Sequence, residues 1–207
     1  MRTVEHLLIL AAFGPLLSSC DADAPTPPKL PNEPAVYHQP TAPESLIANL
    51  ELSHTQRQFG PYLQLLAPEF RFQMWSDSDE EPGILDRDRD STGTQAFLAT
   101  PEVSKIRMEL ITQDPETTIN FPGTPLDTLK MQVTPRVFEV IQADGVTWAI
   151  ATQQIFFFRK GLASQGENPN HWLIYIWLEL NHASSAASFP TAVQPNTWFT
   201  MKTFYVT

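Results

Sequence analysis

The apolar and polar positions of this chain change period several times, and each change predicts an element. An almost unbroken apolar run from Leu7 to Leu17 opens it. A polar segment from Asp21 to Pro43 follows, holding Pro25, Pro27, Pro28, Pro31, Pro34, Pro40 and Pro43, with few large apolar residues besides Leu30, Val36 and Tyr37. Such a segment favours extended polyproline geometry at about 3.1 Å per residue and predicts a semi-rigid spacer. Pro43 and Glu44 then open a helical period: in ESLIANLELSHTQRQF, Leu46, Ile47, Leu50 and His54 fall on one side and Glu51, Gln56 and Gln58 on the other. Gly60-Pro61 predicts the end of that helix, and YLQLLA a second, short one. Beyond Pro68 the period drops to two in EFRFQMW, where Phe70, Phe72 and Met74 alternate with Arg71 and Gln73, as a half-buried strand requires.

Ser76 to Asp90 is crowded with acids and reads as a loop, followed by a short helix from Thr94 to Thr100. Three long strands are expected next, Val103 to Thr112, Leu129 to Gln142 and Val146 to Arg159, the last two joined by the hairpin signal Ala143-Asp144-Gly145. After a polar loop with Gly161, Gly166 and Pro169, the run HWLIYIWLEL from His171 to Leu180 has the aromatic and β-branched content of a strand, and Trp198 to Val206 is expected to add another. Helices first and a mostly antiparallel sheet after them predict an α+β fold.

Composition narrows the classes. The formal net charge is −10, which opposes binding to phosphate backbones and to anionic lipid alike, so nucleic-acid binding is not expected. Thirteen Phe and five Trp can build a sizeable core, whereas eight Gly and one Cys exclude a glycine-rich repeat or a disulfide scaffold. One domain beyond the spacer is the expectation.

The first twenty residues, MRTVEHLLILAAFGPLLSSC, read as an export signal: one basic residue, a short apolar run and small residues before a cysteine. The run falls short of the roughly 20 residues a spanning helix needs. Leu17, Ser18, Ser19 and Cys20 resemble the lipobox of bacterial lipoproteins, in which the thiol takes a diacylglyceryl group and small neighbours admit the peptidase. Cys20 is also the chain's single cysteine, and lipidation resolves the odd thiol of an exported protein. Cleavage at that point removes Arg2 and Glu5, one charge of each sign, so the net charge stays −10. The expected organisation is a signal peptide over 1–19, a lipidated (palmitate-type) Cys20 with a Pro-rich tether over 20–43, a domain over 44–180, and a C-terminal extension over 181–207. The expected place is the extracytoplasmic cell envelope, anchored to a membrane by lipid. Asp21 resembles the inner-membrane retention signal of enterobacterial lipoproteins, a rule that does not extend to all phyla, so both membranes stay open.

The stretch ESLIANLELSHTQRQFGPYLQLLAPEFRFQMW resembles the helical entry of the NTF2-like superfamily. The points of likeness are Asn49-Leu50, Arg57 one turn before the break, Tyr62 opening the second helix, and LLAPEFRF running into the first strand. HWLIYIWLEL is similar to that family's closing strand, with Trp172, Ile174 and Trp177 at the matching positions. His54 stands where the family usually has an aromatic, and the extension after Leu180 lies outside the basic pattern. The resemblance implies a cone in which N-terminal helices close on a strongly curved sheet. It does not imply one activity: members include isomerases, dehydratases and epoxide hydrolases as well as transport factors and oligomerisation modules.

An enzyme of that type needs a carboxylate or imidazole inside the apolar cone, where burial raises a carboxyl pKa toward a working value. Strand parity offers His54, Glu139, Tyr175 and His171 as cone-lining polar groups, with Glu139 on the side of Val137 and Ile141, and with His171, Tyr175 and Glu179 on the side of Leu173 and Trp177. No enzymatic constellation of the family maps onto the chain. Asp86, Asp88 and Asp90 have the spacing that opens a calcium loop, but Ser91 and Phe97 stand where its Gly and Glu belong, so a solvated loop is expected there. Histidine spacing suggests no zinc, and no phosphate or dinucleotide loop occurs, so neither metal nor cofactor is expected. The expectation is a non-catalytic envelope module binding a small apolar ligand or a protein partner. A small-molecule isomerase or lyase and a structural homodimer are the alternatives.

Overall fold

The computed structural model describes residues 36–76, 83–117, 128–181 and 193–204. The lipobox with Cys20, most of the tether, residues 77–82 of the acidic stretch and residues 182–192 lie outside the described residues. The elements run α1 (Pro43–Thr55), α2 (Phe59–Gln64), β1 (Leu66–Ser76), β2 (Gly83–Asp86), α3 (Arg87–Ala99), β3 (Val103–Thr112), β4 (Glu116–Thr117), β5 (Leu129–Gln142), β6 (Thr147–Ile150), β7 (Gln153–Lys160), β8 (Trp172–Asn181), β9 (Val193–Asn196) and α4 (Trp198–Phe204), with a 3-10 turn at Ala163–Gln165.

The first helix follows its pattern: Pro43 stands in the first turn, where its missing N–H costs nothing, and Leu46, Ile47, Leu50 and His54 are buried. Gly60-Pro61 does not break a helix but lies in the first turn of α2, a place that tolerates proline for the same reason. The break falls earlier, at Arg57, whose φ of 56° is left-handed. A non-glycine residue is uncommon there. Its guanidinium donates to the carbonyls of Leu98 (2.8 Å), Thr100 (2.5 Å) and Val103 (2.6 Å), tying the end of α1 to the end of α3.

The expected acidic loop is corrected at its end. Asp86 is the N-cap of α3, its carboxylate accepting from the Arg89 N–H at 2.9 Å, and Asp88 and Asp90 sit in the first turn, where carboxylates favour the helix dipole. The helix therefore starts at Arg87 rather than Thr94 and runs to Ala99.

Among the described residues one nine-stranded sheet runs β2-β1-β8-β7-β5-β6-β9, with β3 and β4 also paired to β5. It is antiparallel except for β1 with β8 and β6 with β9. β5 is long enough to pair with β7 through Leu129–Val133 and with β6 through Glu139–Ile141. The single strand expected over Val146 to Arg159 is two strands, parted at Ala151 and Thr152. Phe70, Phe72, Met131, Val133, Phe138, Val140, Phe156, Phe158 and Trp177 form the buried face of the sheet, with Leu46, Leu50 and Phe97 from the helices in the same cluster.

The strand expected over Trp198 to Val206 is a helix. Trp198, Met201 and Lys202 recur at helical spacing and are buried, while Phe204 is exposed. The short strand that does form, β9, lies just before it at the edge of the sheet. Trp198 has ring contacts with His54 of α1, Phe138 of β5 and Trp177 of β8, so α4 lies between the helices and the sheet, inside the cone.

The polar centre of the cone as candidate functional site

Three groups of polar residues meet around α4. On the sheet side, β8 carries Glu179, fully buried. Its carboxylate accepts from the hydroxyl of Thr152, from Gln154 Nε2 at 3.4 Å, and from the backbone N–H groups of Trp198 (2.7 Å) and Phe199 (2.8 Å). The last two would otherwise be orphan donors of the α4 N-terminus, so Glu179 caps that helix through space. Gln154 completes the network by accepting from Trp177 Nε1 at 2.5 Å. Burial holds the Glu179 carboxyl above its usual range, and the four donors partly offset that.

On the helix side Lys202 and Asp90 form an ion pair in which both side chains are wholly inaccessible. Tyr62 joins it: its hydroxyl donates to Asp90 Oδ2 at 2.5 Å and accepts from Lys202 Nζ at 2.9 Å. The same ammonium lies 4.6 Å from the ring centroid of Trp177, 4.8 Å from Phe72, 5.2 Å from Tyr62 and 5.5 Å from Trp198. These distances are within reach of cation–π attraction. Burial lowers the Lys202 pKa and Asp90 raises it again, while burial and the Asp90 charge push the Tyr62 phenol well above its ordinary value.

His54 lies between the two groups, its ring 5.2 Å from Tyr62 and 5.1 Å from Trp198. Nδ1 bonds the Leu50 carbonyl at 2.9 Å, so that nitrogen carries the proton. Nε2 is buried without a hydrogen-bond partner among the described residues. Burial, with Lys202 adding repulsion, depresses the imidazole pKa to about 3, and the ring is neutral at physiological pH.

Of the four polar residues expected in the cone, the structure brings only His54 there. Glu139 is on the opposite face of β5 from buried Phe138 and Val140, half-exposed and paired with Arg107 at 3.4 Å. Tyr175 is displaced by a bulge: Ile174 pairs with Phe158 but Ile176 with Phe157. One extra residue reverses the alternation, so Ile174, Trp177 and Glu179 enter the cone while Tyr175 packs outside with Ile155, Phe157 and Ile176. His171 precedes β8 and its Nε2 bonds Asn168 Nδ2 at 3.0 Å, away from the others. Thr152 and Gln154, which strand parity puts on the side of Trp148 and Ile150, are buried in the network of Glu179, whereas Tyr62, Asp90 and Lys202 are residues the pattern did not place in the cone. A hint existed in Lys202, four residues after Trp198 and so on the same side of any helix.

The site contains acid, base and ammonium groups, yet they bond one another and the backbone of α4. Trp198 takes the space between them, with Phe97 at 5.2 Å and Phe138 at 4.8 Å from its ring. Among the described residues no three His, Cys, Asp or Glu side chains are grouped to hold a metal, and no helix is long and apolar enough to cross a membrane. The Asp86, Asp88, Asp90 series diverges: Asp86 caps a helix and Asp90 is buried on Lys202.

No protein-family model matches the chain, and no curated protein matches it. Solved structures do. Naphthalene 1,2-dioxygenase with indole bound in its active site aligns at a TM-score of 0.50 and 7% identity, over 67% of this chain and 76% of that one. Rv3472 of Mycobacterium tuberculosis aligns at 0.49 and 12% identity, over 79% of this chain and 83% of that one. A member of the NTF2-like family from Streptomyces avermitilis aligns at 0.44 and 11% identity, over 66% and 90%. Such likeness is one of fold alone, and the fold of this chain is α+β, with helices packed on a mostly antiparallel sheet.

Proposed function

We propose that the chain is a lipid-tethered, non-catalytic recognition module of the bacterial cell envelope, joined to a membrane through Cys20 and the Pro-rich segment, with a protein as its partner. The observation that carries the non-catalytic reading is α4 itself: Trp198, Met201 and Lys202 are buried in the space where a cone-type enzyme would bind substrate. Each carboxylate in that space already accepts hydrogen bonds from α4. A filled interior favours contact at the outer surface, and hence a protein partner over a small apolar ligand. The tether reading is supported by Leu17-Ser18-Ser19-Cys20 closing an apolar run, and by a charge of −10 that opposes direct docking on anionic lipid. Its test is fractionation of bacteria making the full chain and Cys20→Ser. The wild type should sediment with membranes and take up labelled palmitate, and the variant should appear unlabelled, folded and soluble. A variant that stays in the membrane fraction would sink the tether.

A small-molecule isomerase or lyase is the second reading, favoured by one observation: His54, Tyr62, Asp90 and Glu179 meet inside the cone. It requires α4 to leave during turnover. Survival of the fold, but not of binding or turnover, when α4 is cross-linked in place would distinguish it from the first.

A further inference from the structure

Four residues make the surroundings of the Lys202 ammonium without help from α4: Tyr62 on α2, Phe72 on β1, Asp90 on α3 and Trp177 on β8. Three aromatic rings and a carboxylate around one ammonium are the elements by which proteins recognise organic cations. A buried ion pair is a poor device for stability alone, since an apolar residue of similar size would serve as well or better. The box belongs to the body of the domain, whereas its occupant rides on a seven-residue helix. A helix that short has no stability of its own, and the strand before it, β9, has four residues at the sheet edge.

We propose that the cone is an organic-ammonium site, filled in the resting chain by Lys202, which takes a primary alkylammonium group from outside when α4 withdraws. This goes beyond the surface-recognition reading and does not depend on Cys20. The body supplies each specific contact: Asp90 provides the counter-charge, Tyr62 Oη accepts one N–H, and Phe72 and Trp177 present ring faces. Neutral His54 adds no competing charge. The cation can come from a free amine or from a lysine side chain, including Lys202 of a second copy.

The test uses the full chain carrying Lys202→Ala, which deletes the occupant and leaves the box. n-Propylammonium matches the deleted atoms, and 1-propanol and sodium chloride at equal concentration are the controls. The variant should melt roughly 6–20 °C below wild type, the range for a buried charge left without its partner in a domain of this size. n-Propylammonium should recover a saturable part of that loss, and adding Asp90→Asn should abolish the recovery. No recovery, or equal recovery with propanol or salt, overturns the proposal. If Lys202→Ala does not fold, refolding yield replaces melting temperature: a gain confined to n-propylammonium supports the site, and equal yields in all three solutions overturn it. In wild type, fluorescence of Trp177 and Trp198 should respond to the amine at about tenfold or higher concentration, because the tethered Lys202 competes. Light scattering then separates the sources. A dimer that the amine dissociates identifies the lysine of a second copy, and a monomer that binds the amine identifies a free amine. A wild-type chain that neither dimerises nor responds overturns the exchange.

Discussion

Two of the charged clusters among the described residues are built on different plans. Arg159 of β7 is held at one rim by two carboxylates. It pairs bidentately with Glu69 at 2.5 and 2.7 Å and with Glu167 at 2.7 and 3.0 Å, and donates to the Lys160 carbonyl at 2.9 Å. Its own side chain is 1% exposed, but Glu69 is 39% and Glu167 12% exposed, so water still reaches the anions. Lys202 has one anion and four rings, one of which, Tyr62, also accepts through its hydroxyl, and neither member of the pair meets water. The first cluster joins parts of the body to each other, with the charge balance and donor geometry that favour arginine. The second joins the body to the short helix α4 and replaces hydration with ring faces. Burial alone does not give a charged residue its role; what matters is which segments the pair connects and how much water remains.

Breaking each cluster tests that contrast. Lys202→Met keeps the stem and removes the charge, leaving Asp90 buried with Tyr62 alone, and should lower unfolding free energy by about 3–5 kcal/mol in denaturant titration. Arg159→Met should cost less, about 1–3 kcal/mol, because the freed carboxylates can turn to solvent. A loss equal to that of Lys202→Met would erase the distinction. His54 gives a pH signature between the two in kind. Its folded pKa of about 3 lies below the ordinary 6.5, so the unfolded chain takes a proton that the fold refuses. The His54 contribution to stability should therefore fall as pH drops from 6.5 toward 3. Glu179 works in the opposite sense: its raised carboxyl removes stability as pH climbs through and above the usual carboxylate range. The difference in stability between wild type and His54→Gln, followed from pH 7 to pH 4, isolates the first slope, and parallel curves would contradict it. Smallest of all, Arg107→Ala should change stability by under about 0.5 kcal/mol, since its pair with Glu139 is exposed.

Much of the architecture was legible wherever period and burial agree. Phe70 and Phe72 in β1, Leu46, Ile47 and Leu50 in α1, and the Asp144-Gly145 hairpin all follow from spacing, with Gly145 at φ 88° as the turn needs. The candidate site was largely illegible, for identifiable reasons. One bulge in β8 reverses parity and exchanges Tyr175 for its neighbours, and no residue type announces a bulge. The pattern puts Glu139 on the wrong face because Val137 and Ile141 are only half-buried, while Phe138 and Val140 carry the core. Asp90 stands among charges that read as solvated; its burial depends on Lys202, more than a hundred residues away in the chain. α4 looked like a strand because its aromatics have high strand propensity, and tertiary contact overrode that preference.

The placement of α4 also bears on the order in which the fold can be completed. Every other wall of the cone precedes it in the chain, and synthesis runs from the N-terminus. Until residues 198–204 have been made, Glu179 lacks the two amide donors that cap it and Asp90 lacks its cation. In a nascent chain halted just short of Trp198, both buried carboxylates would lack these partners. The turns of α4 thus close an acidic cleft into a dry core.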